Sequence, residues 1–169
     1  TIINVGNSIG TIRNRTRLLE RIIILTIRLT LAERGGIFLS NSTGQAELVA
    51  SRNLDPSAID KKTFTDNFSI IENVIASNHG VLIERSQPEK DQLLESLGLS
   101  WIICSPISLH SRVLGVFYLD SAHPQRGFKE KGLALIEAIG TQVAIALDNA
   151  QAYEEIAFLR DRLENESRF

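Results

Sequence analysis

At 169 residues, with 43% hydrophobic and 22% charged side chains, the chain has the size and composition of one globular domain, which excludes a disordered or fibrous architecture. Eighteen basic against 20 acidic residues leave a formal charge of -2, and this balance excludes the cationic surface that direct binding to a nucleic-acid backbone requires. The longest apolar-rich stretch, Leu18 to Leu31, is broken by Glu20, Arg21 and Arg28 and falls short of the roughly 20 apolar residues of a membrane span; the single cysteine, Cys104, excludes an internal disulfide. No basic-apolar cleavage pattern opens the sequence, so a cytoplasmic location is expected.

Leu18 to Ala32 carries Leu19, Ile22, Ile23, Ile27 and Leu31 at helical spacing, with Arg28, Glu33 and Arg34 around the stripe, and predicts a long amphipathic helix stopped by Gly35 and Gly36. Ile37 to Leu39 and Ala46 to Ala50 flank Asn41-Ser42-Thr43-Gly44, a hairpin turn between two antiparallel strands. Leu54 to Asp66 is polar, contains Pro56 and Lys61-Lys62, and predicts a loop. Phe68, Ile71, Val74 and Ile75 recur at helical spacing, Asn78 and Gly80 supply a stop, and Val81 to Ile83 form a short strand. Ser86 caps a further helix that opens near Pro88, turns Leu93, Leu94 and Leu97 inward and ends at Gly98. Trp101 to Leu109 and Val113 to Asp120 are β-branched and aromatic runs joined by His110-Ser111-Arg112, and predict the central hairpin. Pro106 lacks a ladder donor and must sit at a bulge, a bend or an unpaired edge.

After Gly140 neither Pro nor Gly interrupts the chain, so Lys129 to Phe169 predicts one helix of about 40 residues, or roughly 60 Å. Ile136, Ile139, Val143, Ala146 and Leu147 form the stripe that packs on the sheet. Ile145, Asn149, Ala152, Ile156, Leu159 and Leu163 make a 4-3-4-3-4 seam that continues beyond it and calls for a partner helix. A homodimer is expected, with Ile22, Ile23, Ile145, Ala152, Ile156, Leu159 and Leu163 at its interface.

Three stretches together resemble the GAF family. Ala32-Glu33-Arg34-Gly35-Gly36-Ile37-Phe38-Leu39 is similar to the family's junction from first helix to first strand. Val113-Leu114-Gly115-Val116-Phe117-Tyr118-Leu119-Asp120-Ser121 is similar to its central strand. Gly127-Phe128, then Leu135-Ile136-Glu137-Ala138-Ile139 and Gln142 through Ala150, is similar to its closing helix. The resemblance implies an α+β fold: a six-stranded antiparallel sheet with helices on one face, long terminal helices, and a small-molecule pocket under loops on the other face. It divides the chain into a linker or helix start (1–14), a sensor domain (15–155) and a coiled-coil linker (156–169) leading to an output domain on the same chain. The implied pocket is lined by strands Trp101 to Ile107 and Val116 to Asp120 and by the loop Leu54 to Phe68, with Trp101, Cys104, Phe117 and Asp120 as its candidate residues.

Against this outline the sequence offers little chemistry. His79, His110 and His123 fall in turns, without a Gly-flanked serine, an HExxH spacing or a phosphate-cradling glycine loop, so no catalytic residue is assigned and no enzyme is expected. Cyclic-nucleotide-binding members of the family carry Asn-Lys after the central strand, then Phe and, four residues on, Asp-Glu; here Phe128 is in place, but Asp120-Ser121 and Gly132-Leu133 replace the two pairs. Cys104 and Asp120 on neighbouring strands are two potential iron ligands where three or more are needed, so no metal is assigned. No Cys-His dipeptide supports bilin attachment, and no cofactor is identified. The ending Leu159 to Phe169 resembles the linker that enters the AAA+ module of alternative-sigma-factor activators, and similar linkers enter cyclase and kinase modules. The expected function is a signal-sensing or relay domain whose output is transcription activation. The alternatives are a dimerisation module with an empty pocket and a reductase-type enzyme.

Overall fold

The computed structural model describes residues 2–54, 61–85, 88–124 and 129–167, side chains at 2–13, 61–68, 129, 151–154 and 166–167 excepted. In chain order the elements are α1 (Ile2–Thr30), β1 (Arg34–Ser40), β2 (Ala46–Arg52), α2 (Lys61–Ser77), β3 (Val81–Glu84), α3 (Pro88–Leu97), β4 (Trp101–Leu109), β5 (Arg112–Ser121) and α4 (Lys129–Ser167).

The strands form one antiparallel sheet in the order β2-β1-β5-β4-β3. Among the described residues it has five strands rather than six, and these are the five apolar runs visible in the sequence; no further run was available for a sixth. Helices cover both faces rather than one. Because side chains alternate along a strand, Trp101, Ile103 and Ile107 of β4 join Phe117 and Leu119 of β5 in a core under α1 and α4. Ile102 and Cys104 join Val116 and Tyr118 in a second core under α2 and α3, with Ile71, Val74 and Leu94. A sheet buried on both sides explains why β4 and β5 read as continuous apolar runs instead of alternating ones.

The hairpin turns bear out their sequence signals. Asn41 Oδ1 accepts hydrogen bonds from the Thr43 and Gln45 amides, each at 3.0 Å, and Gly44 turns the chain at φ 82°. Between β4 and β5, His110 and Ser111 both take left-handed φ, 51° and 66°, the pattern of the tight turn whose twist suits a hairpin. β3 pairs with β4 only as far as Cys104, so Pro106 stands where β4 is unpaired on that side, next to a bulge between Ile107 and Ser108.

Several boundaries differ from expectation. α1 ends at Thr30, before the glycines, where Leu31 turns out of the helix at φ 61°. Gly35 and Gly36 lie inside β1, and a Cβ on Gly35 would stand 2.5 Å from the Leu119 side chain, so the first glycine serves close packing rather than helix termination. α1 also begins well before Leu18, and α2 begins at Lys61, inside the expected loop, because the first turn of a helix demands no apolar partner. The remainder of that loop, 55–60, and the Ser86 cap lie outside the described residues.

α1 and α4 pack against each other in antiparallel fashion: Asn14 and Leu18 share a crevice with Leu147 and Ala150, while Thr30 lies by Gly132 at the other end. Of the residues expected at a dimer interface, Ile23 is fully buried in the chain's own core and has no surface to offer a partner. The helix buries the face of Leu19, Ile23, Thr26 and Thr30, so the outward apolar residues are Leu18, Leu25 and Leu29, with Ile22 half-buried between them. On α4, Ile145, Ile156, Leu159 and Leu163 are exposed, and Ala152 falls among the side chains not described. The stretch Glu130–Asn165 of α4 is long and apolar enough by composition to cross a membrane, but its Ile136, Val143 and Ala144 are buried against the sheet.

Candidate functional site

The four residues expected to line one pocket are divided between the two faces of the sheet. Positions 101 and 104 are three apart, as are 117 and 120, and an odd separation on a strand puts side chains on opposite faces. Trp101 and Phe117 are fully buried in the core beneath α1 and α4, whereas Cys104 faces α2 and α3. Asp120 alternates in phase with Val116 and Tyr118, and its carboxylate meets the Tyr118 hydroxyl. Of the expected loop, only Leu54 has a described side chain, and it is buried beside Phe38 in the second core.

Asp120 is the centre of a built network. It is fully buried, and Arg34, its register partner on β1, clamps it with two hydrogen bonds: Nε donates to Oδ1 at 2.8 Å and Nη2 to Oδ2 at 2.7 Å. The Tyr118 hydroxyl donates to Oδ2 at 2.7 Å. A buried carboxylate is tolerated when such donors replace its water. Glu33 closes the neighbouring chain end: its Oε1 accepts from the Ala122 amide at 2.7 Å and the Ser121 hydroxyl at 3.2 Å, and its Oε2 lies 3.8 Å from His123 Nε2. Neither Arg34 nor Tyr118 was singled out from the sequence. The signal was the requirement itself, since an Asp inside an apolar strand needs a cation from elsewhere.

The network and the core shift three groups upward. The hydrogen bond to Asp120 holds the Arg34 guanidinium above its ordinary value against the opposing effect of burial. Burial, then the charge of Asp120, raises the Tyr118 phenol well above 10. Burial alone raises the Cys104 thiol. For both acids the folded state holds the proton that the unfolded chain releases, so the stability they contribute is complete below the unfolded pKa and lost as pH rises past it. Unfolding measured between pH 7 and 11 should weaken from about pH 9, the ordinary value for a thiol, by roughly 1.4 kcal/mol per pH unit for Cys104 alone. In Cys104→Ala the loss should start about one unit higher, where tyrosine ionises. An unchanged onset would mean that the thiol is not buried as described.

Beside the second core, α2 and β3 enclose an open groove of about 840 Å³ whose apolar wall is Ile70, Val74, Val81 and Ile83, with Asn73 and Lys90 as its polar points. Pockets that hold small molecules have this size and this mixture of an apolar wall with a few polar groups. A second groove of about 510 Å³ opens where α1 ends against β1 and β2. His79, His110 and His123 all lie at exposed turns, and among the described residues no three His, Cys, Asp or Glu groups converge as a metal site. Glu33 and Arg34 of the polar network line the second groove, whereas none of the network's residues lines the α2–β3 groove.

A family model of the GAF domain matches residues 14–147. Among solved structures, the chain is similar to a GAF domain region from Geobacter sulfurreducens PCA, with 15% identity over 84% of this chain and 98% of that one and a TM-score of 0.67. A GAF domain/HD domain protein from Geobacter sulfurreducens gives 13% identity, 83% and 96% coverage and a TM-score of 0.63. A type II free methionine-R-sulfoxide reductase from Thermoplasma acidophilum gives 13% identity, 79% and 92% coverage and a TM-score of 0.60. These likenesses concern the fold. No curated protein matches in sequence.

Proposed function

Since the chain belongs to the GAF domain family, whose members are typical of signalling proteins, we propose that it is a cytoplasmic sensory domain that works as a dimer through α1 and α4 and relays a small-molecule signal to an output module, with transcription activation as the output. The observation that carries this reading is the apolar seam left uncovered on the terminal helices. Leu18, Ile22, Leu25 and Leu29 follow one another on α1 at 4-3-4 spacing, and Ile156, Leu159 and Leu163 on α4 at 3-4 spacing, with Ile156 57% and Leu163 65% exposed. Spacing of this kind sets apolar knobs along one side of a helix, and it matches a second copy better than solvent. The α2–β3 groove is the place for the small molecule on this reading, and its contact with both a helix and an edge strand lets occupancy favour one of two arrangements of the sheet and helices.

Ile156→Glu with Leu159→Glu tests the seam, because it sets four charges into a two-chain interface. Light scattering should show dimer association weakened, with Kd raised about a hundredfold, which corresponds to a loss of about 2.7 kcal/mol. An unchanged dimer would remove the seam from the interface. Native mass spectrometry of the freshly purified protein addresses the ligand: added mass supports sensing, and its absence favours the dimerisation module with an empty pocket. The reductase-type alternative has one cysteine to work with, and burial holds that thiol protonated and away from substrate.

A further inference from the structure

The groove at the end of α1 has a composition that neither the fold nor the sensory reading accounts for. Its walls carry three arginines from three different elements: Arg28 from the last turn of α1, Arg34 from the start of β1 and Arg52 from the end of β2. A basic residue in the last turn complements the helix dipole, which accounts for Arg28 alone; Arg52 ends a strand. The Arg28 and Arg52 side chains make no hydrogen bond or ion pair with any described residue. Glu33, the acidic residue on the rim, has its carboxylate engaged by Ala122, Ser121 and His123.

Two features fix the groove in shape. Arg34 is held by its double hydrogen bond to Asp120, through Nε and one Nη2 contact, while its side chain remains about a third exposed (34%) on the groove wall. Two chain exits at the groove have left-handed backbone: Leu31, just before the lining residue Ala32, at φ 61°, uncommon for a bulky residue, and Asn53 at φ 59°, whose Nδ2 donates to the Glu33 carbonyl at 2.8 Å. Ile24, Ile27 and Ala32 supply an apolar wall.

The geometry points to a binding site in this groove for a small, multiply charged oxyanion, a phosphate or diphosphate ester whose apolar part lies on α1. Guanidinium groups recognise phosphate oxygens through paired, charge-assisted hydrogen bonds, and one dianion can engage a fixed Arg34 together with Arg28 and Arg52, whose side chains have no partner among the described residues. A volume of about 510 Å³ accommodates such a molecule. Binding would tie α1 to β1 and β2 at the point where the helix enters the sheet. The site is separate from the α2–β3 groove and stands or falls without it.

Thermal unfolding of the full chain with increasing inorganic diphosphate, at ionic strength held constant with sodium chloride, tests the site. The expected result is a saturable rise in Tm for the wild type, an apparent Kd at least about tenfold weaker in Arg28→Gln/Arg52→Gln, and no change in Arg112→Gln, whose arginine lies at the distant β4–β5 hairpin. Unliganded Tm values of the variants, compared first, separate loss of binding from loss of fold. No rise beyond the chloride control, an undiminished rise in the double variant, or an equal loss in Arg112→Gln would each overturn the proposal.

Discussion

Gly115→Ala should lower stability by about 3 kcal/mol or more, at the upper end of the cost of overpacking. Gly115 pairs with Leu39 across β5 and β1, and a Cβ added there would stand 2.0 Å from the Phe38 carbonyl oxygen and 2.9 Å from the Leu39 Cα. Both are backbone atoms of a strand held by β5 on one side and β2 on the other, so no side chain can rotate to make room. The whole of β1 must move, and with it the helix exit at Leu31. For a domain of this length the cost corresponds to a fall in Tm of about 6–12 °C, measurable by calorimetry. Gly98→Ala is the control: that glycine has φ 67° but open space around it, so only backbone strain of about 1 kcal/mol is incurred. If the two variants lose the same amount, the close approach of β1 and β5 is not as tight as described.

The second large effect is expected at Asp120. Replacement by alanine removes the acceptor for Arg34 and the hydrogen bond that the buried Tyr118 hydroxyl donates to Asp120. Breaking a buried ion pair costs about 3–5 kcal/mol, and because Arg34 is a third exposed and regains water, the lower end, about 3 kcal/mol, applies. Tyr118→Phe removes one hydrogen bond while leaving the Arg34 clamp intact, and should cost about 1 kcal/mol. Asp120→Asn keeps the shape but turns an amide donor toward the guanidinium, so it should fall nearer alanine than wild type. Urea unfolding of the three variants gives the order; a neutral Asp120→Ala would show that the network adds nothing to stability.

How much of this was legible in the sequence depends on how local the cause is. The strands of the two hairpins and α3 follow from apolar runs, turn residues and Pro88, all decided within a few positions. The length of α4 follows from the absence of helix breakers after Gly140. The start of α1 was hidden because Gly6 and Gly10 argue against a helix that nonetheless forms. The split of Trp101 and Phe117 from Cys104 and Asp120 was readable in principle, since strand alternation settles it once the strands are drawn; treating four residues of two central strands as one lining overlooked that parity. The same holds for Ile23, where a stripe of adjacent isoleucines does not tell which side the sheet occupies. The Arg34–Asp120 clamp joins positions 86 apart in sequence, and only the pairing of β1 with β5 brings them together. The Arg28, Arg34 and Arg52 groove is of the same kind, assembled from three elements with no common motif.

Because α1 and α4 run antiparallel, the start of the first helix and the end of the last leave the sheet toward the same pole. Beyond Ala150 α4 continues for 17 residues to Ser167, an arm of about 25 Å. A tilt of about 5° at Ala150 would carry the tip of that arm sideways by about 2 Å, close to the helix displacements of about 1–2 Å that repack subunit interfaces. On the proposed relay, leverage of this kind ties the signal to helix length: shortening the arm by one turn should reduce the displacement of its tip in proportion and also rotate its far end by the angle of the residues removed.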